Sequence, residues 1–291
     1  MDANKKNIML VPTDFSDVAN VALNHAIMLA KIFNNEIAVL HINETGLIGG
    51  MFRSHAQADL IQEAIESRLL KIKENVAREH GITVHTYSKE SNRIYKTIIE
   101  TVEELGCDSI VMGTHGAQGI KQVIGSNSSR VISESPVPVI VIKESKTETH
   151  GYKQIVLPID LTFETRQKVK WAIHLGNKFG STIHILSYRE TDEFLEKKIH
   201  ANINKVEHQL TEAGIKFQVD YIEHKRGFAK ETIAYAEKVN ADLIMIMTQE
   251  EEDFSEFIIG SYAQQIVNTS PIPVMTVTPT TTGIHEMVRA I

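Results

Sequence analysis

The segment MLVPTD, at Met9–Asp14, recurs 146 positions later as IVLPID, at Ile155–Asp160. Each is a short apolar run that ends in proline and aspartate, which is typical of a buried strand running into a turn. Near the end of each half, SPVPV at Ser135–Val139 matches SPIPV at Ser270–Val274. The chain is therefore a tandem repeat, and the repeat decides the architecture before any motif is interpreted.

Each half alternates strands with helices, the pattern that builds a parallel sheet with helices on both faces. The repeat is an α/β unit, and its predicted elements are as follows. In the first half we predict strands near 7–13, 36–42, 82–87, 108–113 and 138–143, and helices near 17–33, 56–80, 93–105 and 126–134. In the second half we predict strands near 154–159, 182–188, 216–222, 242–247 and 273–278.

A polar stretch, Glu144–Gly151, separates the two halves. It has no apolar period, as expected of a linker. The predicted domains are therefore residues 1–144 and residues 152–291, each long enough to bury a core of ordinary size.

Composition excludes several classes of function. The 291 residues carry 30 Lys and Arg against 37 Asp and Glu, a net charge of −7, so no broad basic surface is expected for nucleic acid. The single cysteine, Cys107, cannot form an internal disulfide, and we interpret it as a core thiol in a reducing compartment. No apolar run reaches the roughly 18 residues of a membrane helix. We expect a soluble, cytoplasmic protein without a membrane partner.

Glycines mark the most informative segment of the first half. The predicted strand at 108–113 runs into GTHG at Gly113–Gly116, and Gly125–Ser129, GSNSS, opens the next helix. Glycine lets a backbone approach a phosphate closely, and the N–H groups of a helix start attract anions. The hydroxyls of Ser126 and Ser128 would add donors. The spacing alone fits an alternative equally well, in which the glycines only shape the strand exit and Ser126 only caps the helix.

These motifs together resemble the universal stress protein family. The resemblance is carried by VPTDFS at Val11–Ser16, VLHI at Val39–Ile42, the segment from Met112 through Ser126, and PVPVIV at Pro136–Val141. It covers nearly the whole chain, taken as two successive domains. It implies a doubly wound, five-stranded parallel sheet in each half, of the adenine nucleotide alpha hydrolase-like type, with ligand at the carboxyl ends of the strands.

The resemblance also implies ATP, with or without Mg, as the bound cofactor. Asp14 would meet the adenosine end and Ile42 would lie against the base, while Met112, Gly113 and Gly116 would flank the ribose and phosphates. The implied nucleotide-binding set, without any catalytic or metal-ligating residue, is Pro12, Thr13, Asp14, Ile42, Met112, Gly113, His115, Gly116, Gly125, Ser126, Asn127 and Ser128.

Two departures from the family pattern stand out. Eight residues separate Gly116 from Gly125 where the pattern has nine, which shifts the expected phosphate position. In the second half, MTQE at Met247–Glu250 replaces the glycine segment, and three acidic residues follow at 251–253. Acidic side chains a few ångströms from a phosphate repel it by about 1–4 kcal/mol. We expect no ATP in the second half, where Asp160 and Gly260 would serve as a turn residue and a helix cap.

The leading hypothesis is a non-enzymatic protein that binds adenine nucleotide in its first half and acts in stress response or regulation. The alternatives are an interaction scaffold without nucleotide and a slow ATPase, although no catalytic base is identifiable. We also expect the two final strands to pair, so that each half serves as the other's dimer partner, because bare apolar edges invite uncontrolled association. A homodimer of the whole chain is a further option.

Overall fold

The computed structural model describes residues 7–44, 55–114, 125–143, 151–162, 164–223, 227–248 and 260–279. The predictions for His115, Gly116 and the acidic residues 251–253 concern positions outside these ranges. Within them, strands and helices alternate along both halves, as the repeat predicts.

The described residues of the first half form five strands and four helices. Its elements are β1 (Ile8–Pro12), α1 (Asp17–Phe33), β2 (Glu36–Glu44), α2 (His55–His80), β3 (Val84–Ser91), α3 (Ile94–Leu105), β4 (Ser109–Gly113), α4 (Ser126–Glu134) and β5 (Val139–Ile142).

The second half repeats this order with one change, a 3₁₀ turn before its first helix. Its elements are β6 (Gln154–Pro158), the 3₁₀ turn (Glu164–Arg166), α5 (Val169–Phe179), β7 (Thr182–Tyr188), α6 (Glu193–Glu212), β8 (Lys216–Ile222), α7 (Phe228–Lys238), β9 (Leu243–Met247), α8 (Ser261–Thr269) and β10 (Val274–Val277).

Local chemistry explains where the first helix of each half begins and ends. Ser16 caps α1 by accepting a hydrogen bond from the N–H of Ala19 (3.3 Å), and Asp17 adds negative charge in the first turn. The helix ends at Asn34 in the left-handed conformation (φ 56°), and α5 ends at the matching Gly180 (φ 63°). Asparagine and glycine tolerate this conformation better than other residues, so both halves stop their first helix at the same point.

The ten strands form one sheet in the order β3-β2-β1-β4-β5-β10-β9-β6-β7-β8. Within each half all pairings are parallel, and the order reverses beside β1 and again beside β6. This is the doubly wound arrangement, in which the crevice lies at the carboxyl ends of the strands where the order reverses.

The halves meet through their last strands, and this confirms the predicted pairing. Strands β5 and β10 run antiparallel, with Ile140 opposite Met275. The reversed strand order on either side of this pair gives the chain a pseudo-two-fold axis at the seam. Neither last strand is left as a free edge.

Both faces of the sheet carry a core that crosses this seam. Ile140 and Met275 belong to the cluster beneath α1, α2, α5 and α6, whereas Val141 and Val274 belong to the cluster on the opposite face. Cys107 is buried in the second cluster, where burial raises the pKa of its thiol to about 11. Among the described residues, no helix combines the length and apolar character needed to cross a bilayer.

Candidate functional site

A cleft opens at the carboxyl ends of β1, β2 and β4, where the strand order of the first half reverses. It encloses about 200 Å³ between the start of α1, the N-terminal half of α3 and the start of α4. Its lining residues are Pro12, Thr13, Asp14, Val18, Ala19, Leu40, Ile42, Ile94, Ile98, Met112, Gly113, Asn127 and Ser128. The lining thus combines apolar side chains with hydroxyl, amide and carboxylate groups.

The structure brings most of the predicted site residues together in this cleft. The predicted residues that line it are Pro12, Thr13, Asp14, Ile42, Met112, Gly113, Asn127 and Ser128. Gly125 and Ser126 do not line it, but they stand beside it as the N-cap and first residue of α4. His115 and Gly116 lie outside the described residues.

Sequence reasoning missed part of the apolar wall. Ile94 and Ile98 stand one helical turn apart on α3, and Val18 and Ala19 belong to the first turn of α1. The i, i+4 spacing of the two isoleucines was the available signal. That spacing marks a buried helix face, however, and does not distinguish a core from a cleft.

Packing alone requires a glycine at position 113. A Cβ at this position would lie 2.6 Å from the carbonyl O of Val18, closer than real Cβ atoms come to backbone atoms. Glycine therefore lets the end of β4 pass directly under the first turn of α1. This approach keeps the start of α1 against the cleft.

The turn after β1 is fixed by a side-chain stack that the sequence did not reveal. Phe15 adopts φ 63°, which is unusual for a bulky residue. Its ring stacks on His41 with 4.5 Å between centroids, and the guanidinium carbon of Arg68 lies 5.3 Å from the centroid of Phe15. The imidazole of His41 in turn contacts the carbonyl O of Thr13 through Nδ1 (2.8 Å). The stack therefore positions Thr13 and Asp14 from the side away from the cleft.

Asp14 itself shapes the turn. Its Oδ1 accepts a hydrogen bond from the N–H of Ser16 (3.0 Å), and the N–H of Thr13 donates to the carbonyl O of Leu40 (2.8 Å). Asp14 therefore occupies a fixed place in the cleft lining.

The matching region of the second half is built differently. Helix α5 begins at Val169, six positions after the counterpart of Asp17, and the 3₁₀ turn at Glu164–Arg166 replaces the missing helical start. Met247 stands at the end of β9 where Gly113 ends β4. Because only glycine permits the close approach seen in the first half, we attribute the altered helix start to the methionine side chain.

A lysine is buried at this altered helix start. Lys168, which matches Ala22 of α1, is 2% exposed, and its ammonium donates to Oγ1 of Thr165 (2.9 Å). Burial lowers the pKa of Lys168 to about 8, while the nearby Asp160 favours its charged form. Asp160 also accepts hydrogen bonds from Thr162 at 2.6 and 2.8 Å, and so forms the predicted turn.

In the second half, a backbone hydrogen bond joins the start of the last helix, α8, to the residue that follows β9. The N–H of Gly260, the N-cap of α8, donates to the carbonyl O of Thr248 (2.8 Å). No such bond joins Gly125 to Thr114 in the described part of the chain. The start of α8 thus uses a backbone donor in a bond that the described residues do not show at the start of α4.

The described residues contain no group of three or more His, Cys, Asp or Glu side chains arranged to hold a metal. The polar groups of the cleft are hydroxyls, an amide and a single carboxylate. Such a set suits a ligand with hydrogen-bonding groups and an apolar ring better than a bare cation.

The fold and the cleft define a tandem, doubly wound α/β protein with a crevice at the strand ends of its first half. The sequence profile of the universal stress protein family matches residues 6–143 and again residues 151–278. The chain belongs to the universal stress protein family, and it contains two successive copies of the family's domain.

Individual relatives agree with this assignment. The chain is 33% identical over 144 residues to the universal stress protein MJ0531 of Methanocaldococcus jannaschii, covering 48% of this chain and 84% of that protein. It is 24% identical over 294 residues to the universal stress protein Slr1230 of Synechocystis, covering 93% and 99%. A crystal structure of a universal stress protein from Archaeoglobus fulgidus superposes with a TM-score of 0.78 at 22% identity, covering 94% and 99%, so its fold is shared over the full length.

Proposed function

We propose that the first half binds ATP in the cleft at the ends of β1, β2 and β4, and that the second half binds none. The observation that carries the proposal is the convergence of Asp14, Ile42, Gly113 and Ser128 on one crevice, from four separate elements. In the family that this chain belongs to, nucleotide-binding members use the matching motifs for ATP.

The walls of the cleft suit the two ends of a nucleotide. Ile42, Ile94 and Ile98 offer an apolar surface for a base. Asn127 and Ser128 lie in the first turn of α4, where the N–H groups of a helix start and the helix dipole favour a phosphate. With or without Mg, a triphosphate would extend toward this helix start.

The second half differs from this arrangement at three points. Met247 replaces the glycine at the strand end, the N–H of Gly260 is already bonded, and Lys168 with its partners occupies the turn region. This half contributes the partner strand β10 to the sheet instead. We therefore assign ligand binding to the first half and a structural role to the second half.

The function we propose is a non-enzymatic one, in stress response or regulation in the cytoplasm, in which nucleotide occupancy is read by other proteins. Among the cleft residues that the structure describes, no carboxylate–base pair of the kind that activates a water is present. The proposal assigns no catalytic residue.

Isothermal titration of the full chain with ATP, with and without Mg, tests the proposal. We expect one site per chain. Asp14→Asn should weaken ATP binding at least about tenfold, since it removes the carboxylate from the cleft. The matched control is Asp160→Asn, which changes the counterpart residue of the second half and should leave the affinity unchanged.

Each alternative has its own result. Absence of ATP binding in the folded wild type would favour an interaction scaffold. Steady release of ADP that is lost in Asp14→Asn would favour an ATPase. Two sites per chain, or equal loss in both aspartate variants, would contradict the assignment to the first half.

A further inference from the structure

The pseudo-two-fold axis creates two matching sockets at the seam between the halves. One socket is filled by Tyr152, the residue two positions before β6, whose side chain is 1% exposed. Its ring lies 5.1 Å from that of Phe179, and its hydroxyl lies 2.5 Å from Nε2 of His25 on the other half. The phenol ring of Tyr152 thus packs between α1 and α5.

The matching socket of the first half is a cavity of about 60 Å³. Its walls correspond to those around Tyr152, with Phe33 in the place of Phe179 and Trp171 in the place of His25. The floor is the Ile140–Met275 pair at the axis itself. The cavity therefore stands where the symmetry puts a second phenol ring.

Backbone hydrogen bonds confirm that the two sockets correspond. The N–H of Glu36 donates to the carbonyl O of Asn7, as the N–H of Thr182 donates to that of Lys153. Tyr152 directly precedes Lys153. By sequence position its counterpart is therefore Lys6, which lies outside the described residues and has no ring to place there.

The chemistry of the cavity suits an aromatic ring that carries a hydroxyl. Phe33 and Trp171 supply aromatic walls, and ring–ring contacts of this kind stabilise beyond the area that they bury. Asp108 lines the same cavity and offers a carboxylate that can accept a hydrogen bond from an O–H group.

The size of the cavity limits the occupant. One water needs about 10–15 Å³, so a cavity of about 60 Å³ has several times that room. His174, at its mouth, is solvent-exposed, which gives a ligand a way in. Because a closed cavity that holds benzene has about 150 Å³, a single ring seated here extends to the mouth at His174, and a fused ring system or a peptide has no room.

We propose that the cavity between Phe33, Trp171 and Asp108 is a binding site for a small phenol, distinct from the cleft at the strand ends. The ring occupies the socket that matches the one filled by Tyr152, and its hydroxyl donates to Asp108, because Trp171, which stands in the place of His25, offers no acceptor. This site does not depend on nucleotide binding.

The chain provides its own reporter for this site, because Trp171 is its single tryptophan. p-Cresol, the side chain of tyrosine as a free molecule, is titrated into the full chain while Trp171 fluorescence is excited at a wavelength that phenols do not absorb. We expect a saturable change with half-saturation on the order of 0.1–1 mM, a usual range for so small a ligand. Toluene, which lacks the hydroxyl, should bind at least about fivefold more weakly.

Two variants are designed to fill the cavity, and each replaces a residue of the first half by its counterpart in the second half. Ser109→Leu copies Leu243, the counterpart of Ser109 in the ladder beside β6, and Lys6→Tyr copies Tyr152. Ser109→Leu should abolish the fluorescence change, and Lys6→Tyr should reduce it or abolish it. A matched control, Ser181→Ala, alters the socket of Tyr152, where Ser181 donates to the carbonyl O of Tyr152, and should leave p-cresol binding unchanged.

Two results would overturn the proposal. One is a wild-type titration without a saturable change. The other is unchanged p-cresol binding in a folded Ser109→Leu chain, since the ligand would then lie elsewhere. Circular dichroism of each variant establishes that it is folded before the titration is interpreted.

Discussion

The hydroxyl of Tyr152 and Nε2 of His25 lie 2.5 Å apart, although 127 positions separate the two residues in the chain. Both side chains are fully buried. Burial lowers the pKa of His25 to about 4 and raises the pKa of Tyr152. At neutral pH the imidazole is therefore neutral, and the phenol and Nε2 share a buried hydrogen bond. This bond joins helix α1 of the first half to the segment that enters the second.

Tyr152→Phe should destabilise the chain by about 1–3 kcal/mol, because it leaves Nε2 of His25 buried without a partner. Urea unfolding at pH 7 measures the loss. The control is Tyr95→Phe, whose ring contact with Arg130 survives the change, and which should cost less than about 0.5 kcal/mol. Equal stabilities of the two variants would contradict a role for the buried bond.

Acid should destabilise the chain through His25. Its pKa is about 4 when folded against about 6.5 when unfolded, so between these values the unfolded chain binds more protons. Stability from this group is complete above pH 6.5 and falls as the pH drops to 4, by up to about 1.4 kcal/mol per pH unit. The stability difference between wild type and His25→Gln should shrink over this window. A difference that stays constant would show that His25 does not titrate there.

Gly113→Ala should both destabilise the chain and weaken ATP binding. The new Cβ would meet the carbonyl O of Val18 at 2.6 Å, and such overpacking costs about 1–3 kcal/mol. Gly125→Ala is the comparison, because its Cβ would meet nothing within 4 Å and its φ is −58°. This variant should keep its stability within about 0.5 kcal/mol. It should still bind ATP more weakly if a phosphate approaches Gly125.

Charge placed on the paired last strands should separate the halves. Ile140 and Met275 face each other across the seam and are 4% and 3% exposed. In the double variant Ile140→Lys with Met275→Lys, two like charges would be buried side by side, at a cost of several kcal/mol. Small-angle scattering should show an expanded or aggregated chain. The swap Ile140→Met with Met275→Ile preserves volume and should remain as compact as wild type.

Lys168→Met tests the buried ammonium of the second half. The pKa of Lys168 is about 8 when folded and about 10.4 when unfolded, so between these values the unfolded chain binds more protons. The stability of wild type relative to the variant should therefore rise by up to about 1.4 kcal/mol per pH unit from pH 8 to 10. Urea unfolding of both chains at pH 7, 8, 9 and 10 measures this. Parallel curves would mean that the lysine is not buried as described.

The sequence by itself determined the repeat, the order of the elements and the strand ends that meet at the cleft. These features are local. Apolar runs of strand length recur at a fixed offset, and residues that follow parallel strands must gather at one edge of a sheet. For this reason the bounds of α1 could be given to the residue, and the family resemblance of the motifs could place Asp14, Ile42 and Met112 at one site.

Only the tertiary structure decided how the halves differ. The contact of Gly113 with Val18, the late start of α5 and the burial of Lys168 depend on which side-chain volumes fit between elements far apart in sequence. The two seam sockets depend on the symmetry of the assembled sheet, which fills one with Tyr152 and leaves a cavity beside Phe33. Periodicity reports which face of an element is apolar. It cannot report which distant side chain will cover that face, because packing selects that partner only when the chain is folded.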